Sequence, residues 1–252
     1  MMRAFAPLQQ LFALVLSASL AFAPLPALAR EALKAAPIAA AQFKAGAVAT
    51  SDAYSAVVAK AILQKGGNAV DAAVATAFAL AVTLPEAGNL GGGGFMTVWM
   101  EGKPYFLDYR ERAPAKASAD MYLDAKGNVV PDLNLIGNLS AAIPGTVRGM
   151  AAVHGRFGRL PWKDVVAPAI ALARDGFVVP ERLQKNRDAD MPNYVGKTNF
   201  AAYYTGMNAG ATFKQPHLAA TLQRIAAQGD KGFYEGRTAD LIVAQMGRGP
   251  VK

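Results

Sequence analysis

The sequence predicts a mixed α/β (α+β) domain, rich in helices and built around a small sheet. Three observations carry that expectation. The run Ala72–Leu84 (AAVATAFALAVTL) is apolar on every side, the mark of a helix buried in a core. Segments before and after it repeat their apolar residues every three to four positions, as amphipathic helices do. Between them, Phe95–Arg110 alternates β-branched and aromatic residues about a Glu-Gly-Lys-Pro cluster, which reads as a hairpin. The composition, 53% hydrophobic and 17% charged over 252 residues, excludes a disordered chain and suffices for one large domain or two small ones.

In chain order, Arg3 is the only charge before Arg30. Between them lie the apolar run Leu11–Ala23, Pro24, Pro26 and the small-x-small triplet Ala27-Leu28-Ala29. This is the layout of a secretory signal over residues 1–29, cleaved after Ala29, and it predicts an exported, periplasmic or secreted protein. The run is shorter than the roughly 20 residues a membrane span needs, so no span is expected after cleavage. Residues 30–46, alanine-rich with Pro37, read as a flexible leader, and the domain proper as 47–252.

Ser51 or Asp52 can cap a first helix that carries Tyr54, Val57, Val58, Ala61 and Ile62 on one face. Gly66-Gly67 ends it, because glycine accepts the left-handed conformation past a helix C-terminus. Asn68 caps the apolar helix, with Asp71 in the first turn where the helix dipole favours negative charge. Pro85 stops it, and the glycine-rich segment Gly88–Gly94 leads into strands at Phe95–Met100 and Tyr105–Arg110. Further helices are expected at Thr146–Arg156, Trp162–Arg174 (bent by Pro168), Pro216–Gln228 and Thr238–Met246. Segments 115–140 and 184–215 read as irregular. One hairpin is too little sheet for so many apolar helices, and Gly247–Lys252 reads as a turn leading onward. The expectation is therefore a part of a larger molecule.

The same composition narrows the chemistry. Zero cysteine removes disulfides, thiolate metal sites and cysteine nucleophiles. Two histidines, His154 and His217, leave little for a His-based metal site or triad, and both are expected to be structural or solvent-facing. The net charge of +8 is scattered, without a basic run or interleaved aromatics, which argues against nucleic-acid binding. The glycine run lacks the Lys of a P-loop, and it follows a helix and precedes a strand, the reverse of a dinucleotide fingerprint. Two readings of it stay open: close passage of backbone, or the floor of a pocket. No GxSxG elbow and no self-exposing threonine segment occurs.

Arg110 is the best polar candidate. It shares a strand face with Phe106 and Asp108, and an arginine beside a glycine-lined pocket can hold a carboxylate through two parallel bonds. On spacing alone an ordinary salt bridge with Asp108, Glu111 or Glu86 is the better account, and Arg112, of the same parity, stays open.

Seven segments in order resemble the γ-glutamyltranspeptidase (glutathione hydrolase) family. They are Ala49-Thr-Ser-Asp52, Gly66–Ala73, Pro85–Phe95, Asp108-Tyr-Arg-Glu111 with Ala113-Pro114, Pro144-Gly-Thr-Val147, Ala173–Phe177 and Gly232–Gly236. The resemblance implies an N-terminal-nucleophile hydrolase fold, an αββα sandwich of which this chain would be an incomplete, helix-rich part of the large chain. It implies a precursor that cleaves itself, attack on a γ-glutamyl amide such as glutathione, and a γ-glutamyl-enzyme resolved by water or by an acceptor amino acid or peptide. It implies no cofactor and no metal, and a small chain as partner. It places substrate binding, the grip on the α-carboxylate of the γ-glutamyl group, on Arg110, and leaves Arg112 without a role. The family's catalytic threonine begins a Thr-Thr-His-type segment, and this sequence has neither Thr-Thr nor Thr-His. No catalytic residue is therefore expected here, and the chain alone should be inactive. The competing expectations are a non-catalytic periplasmic binder of γ-glutamyl or amino-acid ligands, and a truncated product without a stable fold.

Overall fold

The structure, a computed structural model, describes residues 46–248. The predicted signal segment 1–29 and, apart from Gly46, the leader 30–46 lie outside the described residues. Helix α1 spans Ala53–Gln64, and Asp52 rather than Ser51 caps it, accepting the Ser55 N–H at 2.8 Å. Gly66 ends it at φ +88°, with the Gly67 N–H bonded back to the Ile62 carbonyl at 3.0 Å. Helix α2 (Ala69–Thr83) starts in a reciprocal capping box: Asn68 accepts the Val70 and Asp71 N–H groups, and Asp71 accepts the Asn68 N–H. At its far end the Thr83 hydroxyl donates to Asp52 at 2.8 Å, so the two helices form an antiparallel pair tied at both ends.

Ten of the fifteen α2 residues are buried, as an all-apolar helix requires. α1 covers one side of it, α4 (Trp162–Asp175) another, and α3 (Thr146–Phe157) its start. Phe78, fully buried, meets the Trp162 ring edge-on at 5.6 Å, and burying such a side chain contributes roughly 1.5–3 kcal/mol. Trp162 in turn donates its indole N–H to the Ile225 carbonyl at 2.8 Å, binding α4 to a later helix, Pro216–Gln228.

The polar centre of this layer is the Asp71 carboxylate, which is inaccessible to solvent. Besides Asn68 it accepts the backbone N–H groups of Arg159 (3.0 and 3.1 Å) and Leu160 (3.3 Å), and His154 Nε2 lies 3.3 Å away. His154 Nε2 also reaches the Leu160 carbonyl at 3.0 Å, which assigns the proton to that nitrogen. One carboxylate thus satisfies both the start of α2 and the α3–α4 turn, and His154 is structural, as expected.

Strands β1 (Phe95–Met100) and β2 (Lys103–Asp108) pair antiparallel, with Met100 opposite Lys103. The loop is the two residues Glu101 and Gly102, both at positive φ, the tight hairpin turn that matches strand twist. The second strand thus begins two residues earlier than expected and ends before Arg110. Met96, Val98, Met100 and Leu107 pack on the core, whereas Phe95, Trp99 and Phe106 face outward, with Phe95 and Phe106 stacked at 5.6 Å.

Segment 115–140 is irregular apart from an isolated bridge between Leu123 and Val129 and a short 3₁₀ turn at Asn138–Ser140. The expectation of irregular structure over 184–215 fails. That stretch contains most of α5 (Glu181–Tyr194), α6 (Phe200–Tyr204) and strand β4 (Thr212–Phe213), which pairs with β3 (Phe177–Val178) as a second small sheet. The physical reason is Arg187, only 8% exposed, which with Leu183 makes the buried side of a mostly polar helix. Its guanidinium donates to the carbonyls of Tyr204, Thr205 and Met207 and to the Asn208 side chain at 2.7–3.2 Å, closing the chain after α6. A guanidinium in place of an apolar stripe leaves no periodic signal to read. Helices α7 (Pro216–Gln228), α8 (Lys231–Tyr234) and α9 (Gly236–Met246) complete the described residues. Among these, no helix is long and apolar enough to cross a membrane.

Replacing Asp71 by Asn removes the charge and points donors at donors. Asp71→Asn should lower stability by roughly 2–4 kcal/mol in urea titration. An unchanged midpoint would show that the carboxylate is not what joins α2 to the α3–α4 turn.

Candidate functional site

Arg110 follows β2 by two residues, and its position is fixed by what passes beneath it. A Cβ on Gly93 would lie 2.6 Å from the Tyr109 carbonyl oxygen and 2.8 Å from the Glu111 nitrogen. One on Gly149 would lie 2.5 Å from the Tyr109 side chain, and one on Gly145 would collide with the Tyr109 carbonyl. Gly93 of the glycine-rich loop and Gly145 at the α3 start thus let the Tyr109–Glu111 backbone rest directly on theirs, and Gly149 in α3 makes room for the Tyr109 side chain. The loop is pinned there by hydrogen bonds. The Gly92 carbonyl accepts the N–H groups of Gly145 (2.7 Å) and Thr146 (3.0 Å), and Asn89 accepts the Gly92 N–H (3.0 Å) and the Thr146 hydroxyl (2.6 Å). The Gly92 carbonyl thereby does the work of the side-chain cap that α3 lacks.

Both readings of the glycine run are therefore realised by different residues. Gly93 serves close backbone passage. Gly88 and Gly91 line a cavity of about 500 Å³ on the other side, together with Tyr203, Tyr204, Lys214 and the exposed His217.

The Arg110 side chain is 61% exposed. Its Nε donates to Glu111 Oε2 at 3.1 Å, its carbon Cζ lies 5.7 Å from the Phe95 ring centre, and its backbone N–H donates to Asp108. Of the three acids considered as partners, Glu111 is the ion pair and Asp108 binds only the backbone. Glu86 is engaged elsewhere, by Arg182 and Asn186. Glu111 titrates below its ordinary range, first because its own backbone N–H bonds the carboxylate and then because of Arg110, against partial burial. Burial pushes the Tyr109 phenol above its usual value.

An exposed pair of this kind contributes about 0–1 kcal/mol, so it does not consume the guanidinium. Its geometry matters more. Glu111 takes the inner Nε, and neither terminal nitrogen of Arg110 has a protein partner among the described residues. A free guanidinium edge of this kind can hold a carboxylate through two parallel bonds. The sequence points to Arg110 and to Glu111 as one of three possible partners, and the structure selects Glu111 among them.

Below Arg110 lies a groove of about 310 Å³ lined by Asp108, Arg110, Arg112, Gly145, Arg148 and Tyr234 among others. Arg148 and Tyr234 are mutually placed: the guanidinium carbon sits 4.4 Å from the ring centre, and the phenol donates to the Pro144 carbonyl at 2.9 Å. No cluster of three or more His, Cys, Asp or Glu suited to a metal ion occurs among the described residues.

The family described as gamma-glutamyltranspeptidase matches residues 55–249 of the chain. A glutathione hydrolase proenzyme of Pseudomonas aeruginosa is 58% identical over 207 residues, which are 82% of this chain and 37% of that protein. The glutathione hydrolase proenzyme of Escherichia coli is 44% identical over 209 residues, 81% of this chain and 36% of that one. Among solved structures, a γ-glutamyltranspeptidase from Pseudomonas nitroreducens complexed with L-DON superposes with a TM-score of 0.80 at 53% identity, covering 84% of this chain and 64% of that one. That of Helicobacter pylori gives 0.79 at 39%, with 83% and 62% covered. The chain spans little more than a third of the length of the curated relatives it matches.

The glycine contacts predict a contrast. Gly145→Ala should cost roughly 2–4 kcal/mol, because a methyl group there meets backbone that cannot turn aside. Gly155→Ala, in the same helix with open space around it, should be neutral or stabilising by up to about 1 kcal/mol. Equal effects in denaturant titration would mean that the backbone crossing is not tight.

Proposed function

The chain belongs to the γ-glutamyltranspeptidase family, and we propose that it supplies the donor-gripping part of a glutathione hydrolase. The fold of its solved relatives is the N-terminal-nucleophile hydrolase αββα sandwich, and the described residues match a helix-rich part of it. In this reading Arg110 holds the α-carboxylate of a γ-glutamyl donor such as glutathione. The observation that carries it is the guanidinium whose Nε is taken by Glu111 and whose outer edge is open.

Held by that carboxylate, the donor presents its γ-amide carbonyl at a fixed distance from Arg110. A threonine hydroxyl attacks that carbonyl, the amine departs with a proton, and the γ-glutamyl ester is then opened by water or by an acceptor amine. None of the 252 residues forms a Thr-Thr or Thr-His pair, so the nucleophile of this reaction comes from the small chain of the same precursor. The chain binds and orients; its partner reacts. The signal-like residues 1–29 support export to the periplasm or beyond.

Two measurements test this. The purified chain should release no chromophore from γ-glutamyl-4-nitroanilide above the uncatalysed rate, and turnover by it would overturn the division of labour. In the enzyme assembled with its small chain, Arg110→Lys should raise KM for the donor about tenfold or more, since an ammonium cannot reproduce the guanidinium fork. An unchanged KM would remove Arg110 from the binding site.

A further inference from the structure

The groove under Arg110 holds more positive charge than one α-carboxylate needs. Three arginines, Arg110, Arg112 and Arg148, line it against a single acidic residue, Asp108. Two of the three have an acid beside them. Arg110 pairs with Glu111 at 3.1 Å, and Arg148 pairs with Asp230 at 3.4 Å while covering the Tyr234 ring. Arg112 has no acid partner among the described residues, yet its backbone is held on both sides. Its N–H donates to the Ile143 carbonyl at 3.1 Å, and its carbonyl accepts the Ile143 N–H at 2.8 Å. An arginine without an acid partner, on an immobilised backbone that borders a groove, is placed to receive an anion.

A γ-glutamyl peptide ending in a free carboxylate carries two anionic groups at opposite ends, and Arg110 accounts for one. Residues two apart on an extended chain have their α-carbons roughly 6.5–7 Å apart, and each arginine adds the length of its own flexible side chain. Arg110 and Arg112 can therefore grip two carboxylates of one extended peptide, with the scissile amide between them.

We infer that Arg112 is a specificity residue that takes the C-terminal carboxylate of a γ-glutamyl peptide donor, so that this groove prefers such peptides over γ-glutamyl compounds lacking that charge. The inference rests on the donor-gripping role of Arg110, and the experiment separates the two.

Calorimetry of the chain at low ionic strength, where exposed pairs are least screened, would compare glutathione with its glycine monoethyl ester. Glutathione should bind about tenfold tighter than the ester, and Arg112→Ala should abolish the difference. Arg110→Ala should weaken both ligands. Equal affinity of the unaltered chain for the two ligands, or a preference that survives Arg112→Ala, would overturn the role of Arg112 and leave that of Arg110 standing. A preference erased by Arg112→Ala alongside an inert Arg110→Ala would uphold the second carboxylate site and overturn the α-carboxylate grip. Absence of binding by the unaltered chain would overturn both.

Discussion

The close crossing of Tyr109 over Gly93, Gly145 and Gly149 is the constraint on which the functional reading depends. At Gly93 and Gly145 backbone meets backbone with no side chain between, and at Gly149 the Tyr109 side chain lies on bare helix backbone. Contact at this distance leaves no lateral freedom, because interiors packed this tightly transmit displacement rather than absorb it. The direction of the chain through Arg110 is thus set by α3, and α3 is set by the Gly92 carbonyl that completes its first turn. The placement of the guanidinium is inherited from backbone geometry, and the side chain itself needs only one further contact, to Glu111.

The helical layer is joined by the same economy of means. Asp71 closes the capping box of α2 and binds the two N–H groups of the α3–α4 turn, so one buried carboxylate replaces several separate caps. With every bond to it supplied by backbone donors or by His154, the charge is compensated where solvent is excluded. The register between α2, α3 and α4 is therefore specified by a polar contact, and the apolar packing of Phe78 and Trp162 then fills the space that this register defines.

What was legible in the sequence was local. Helices α1, α2, α4 and α7 announce themselves by caps, glycine stops and periodic apolar faces, each readable within a dozen residues. The start of β2 was not, because Lys103-Pro104 has the composition of a turn. Alternation from the Met100–Lys103 pair leaves Pro104 opposite Trp99 without a ladder bond to lose, so proline is tolerated there. Helix α5 was invisible for the reason given by Arg187: its anchor is a charge bonded to carbonyls from a later turn. Arg110 could be named from strand parity and the resemblance. Its partner could not, since Asp108, Glu111 and Glu86 are all near enough in principle, and a rotamer decides among them. The groove was illegible altogether, because Arg148 and Tyr234 arrive from α3 and α8.

An arginine exposed on a surface usually spends its binding on water and loses rotamer freedom when it engages a ligand. Arg110 has much of that freedom removed beforehand: Nε is bonded to Glu111 and the guanidinium carbon lies near the Phe95 ring. A carboxylate arriving at its outer edge finds two donors already parallel. In the proposed role, binding would then cost less ordering, and a weak surface ion pair that contributes almost nothing to folding would strengthen recognition. The pair also limits what can bind. Because Glu111 stays ionised below the usual carboxylate range, it repels an anion from the inner side and leaves only the outer edge attractive. In the proposed role, selectivity for the position of a carboxylate, and not merely its charge, would follow from that arrangement of one acid beside one base.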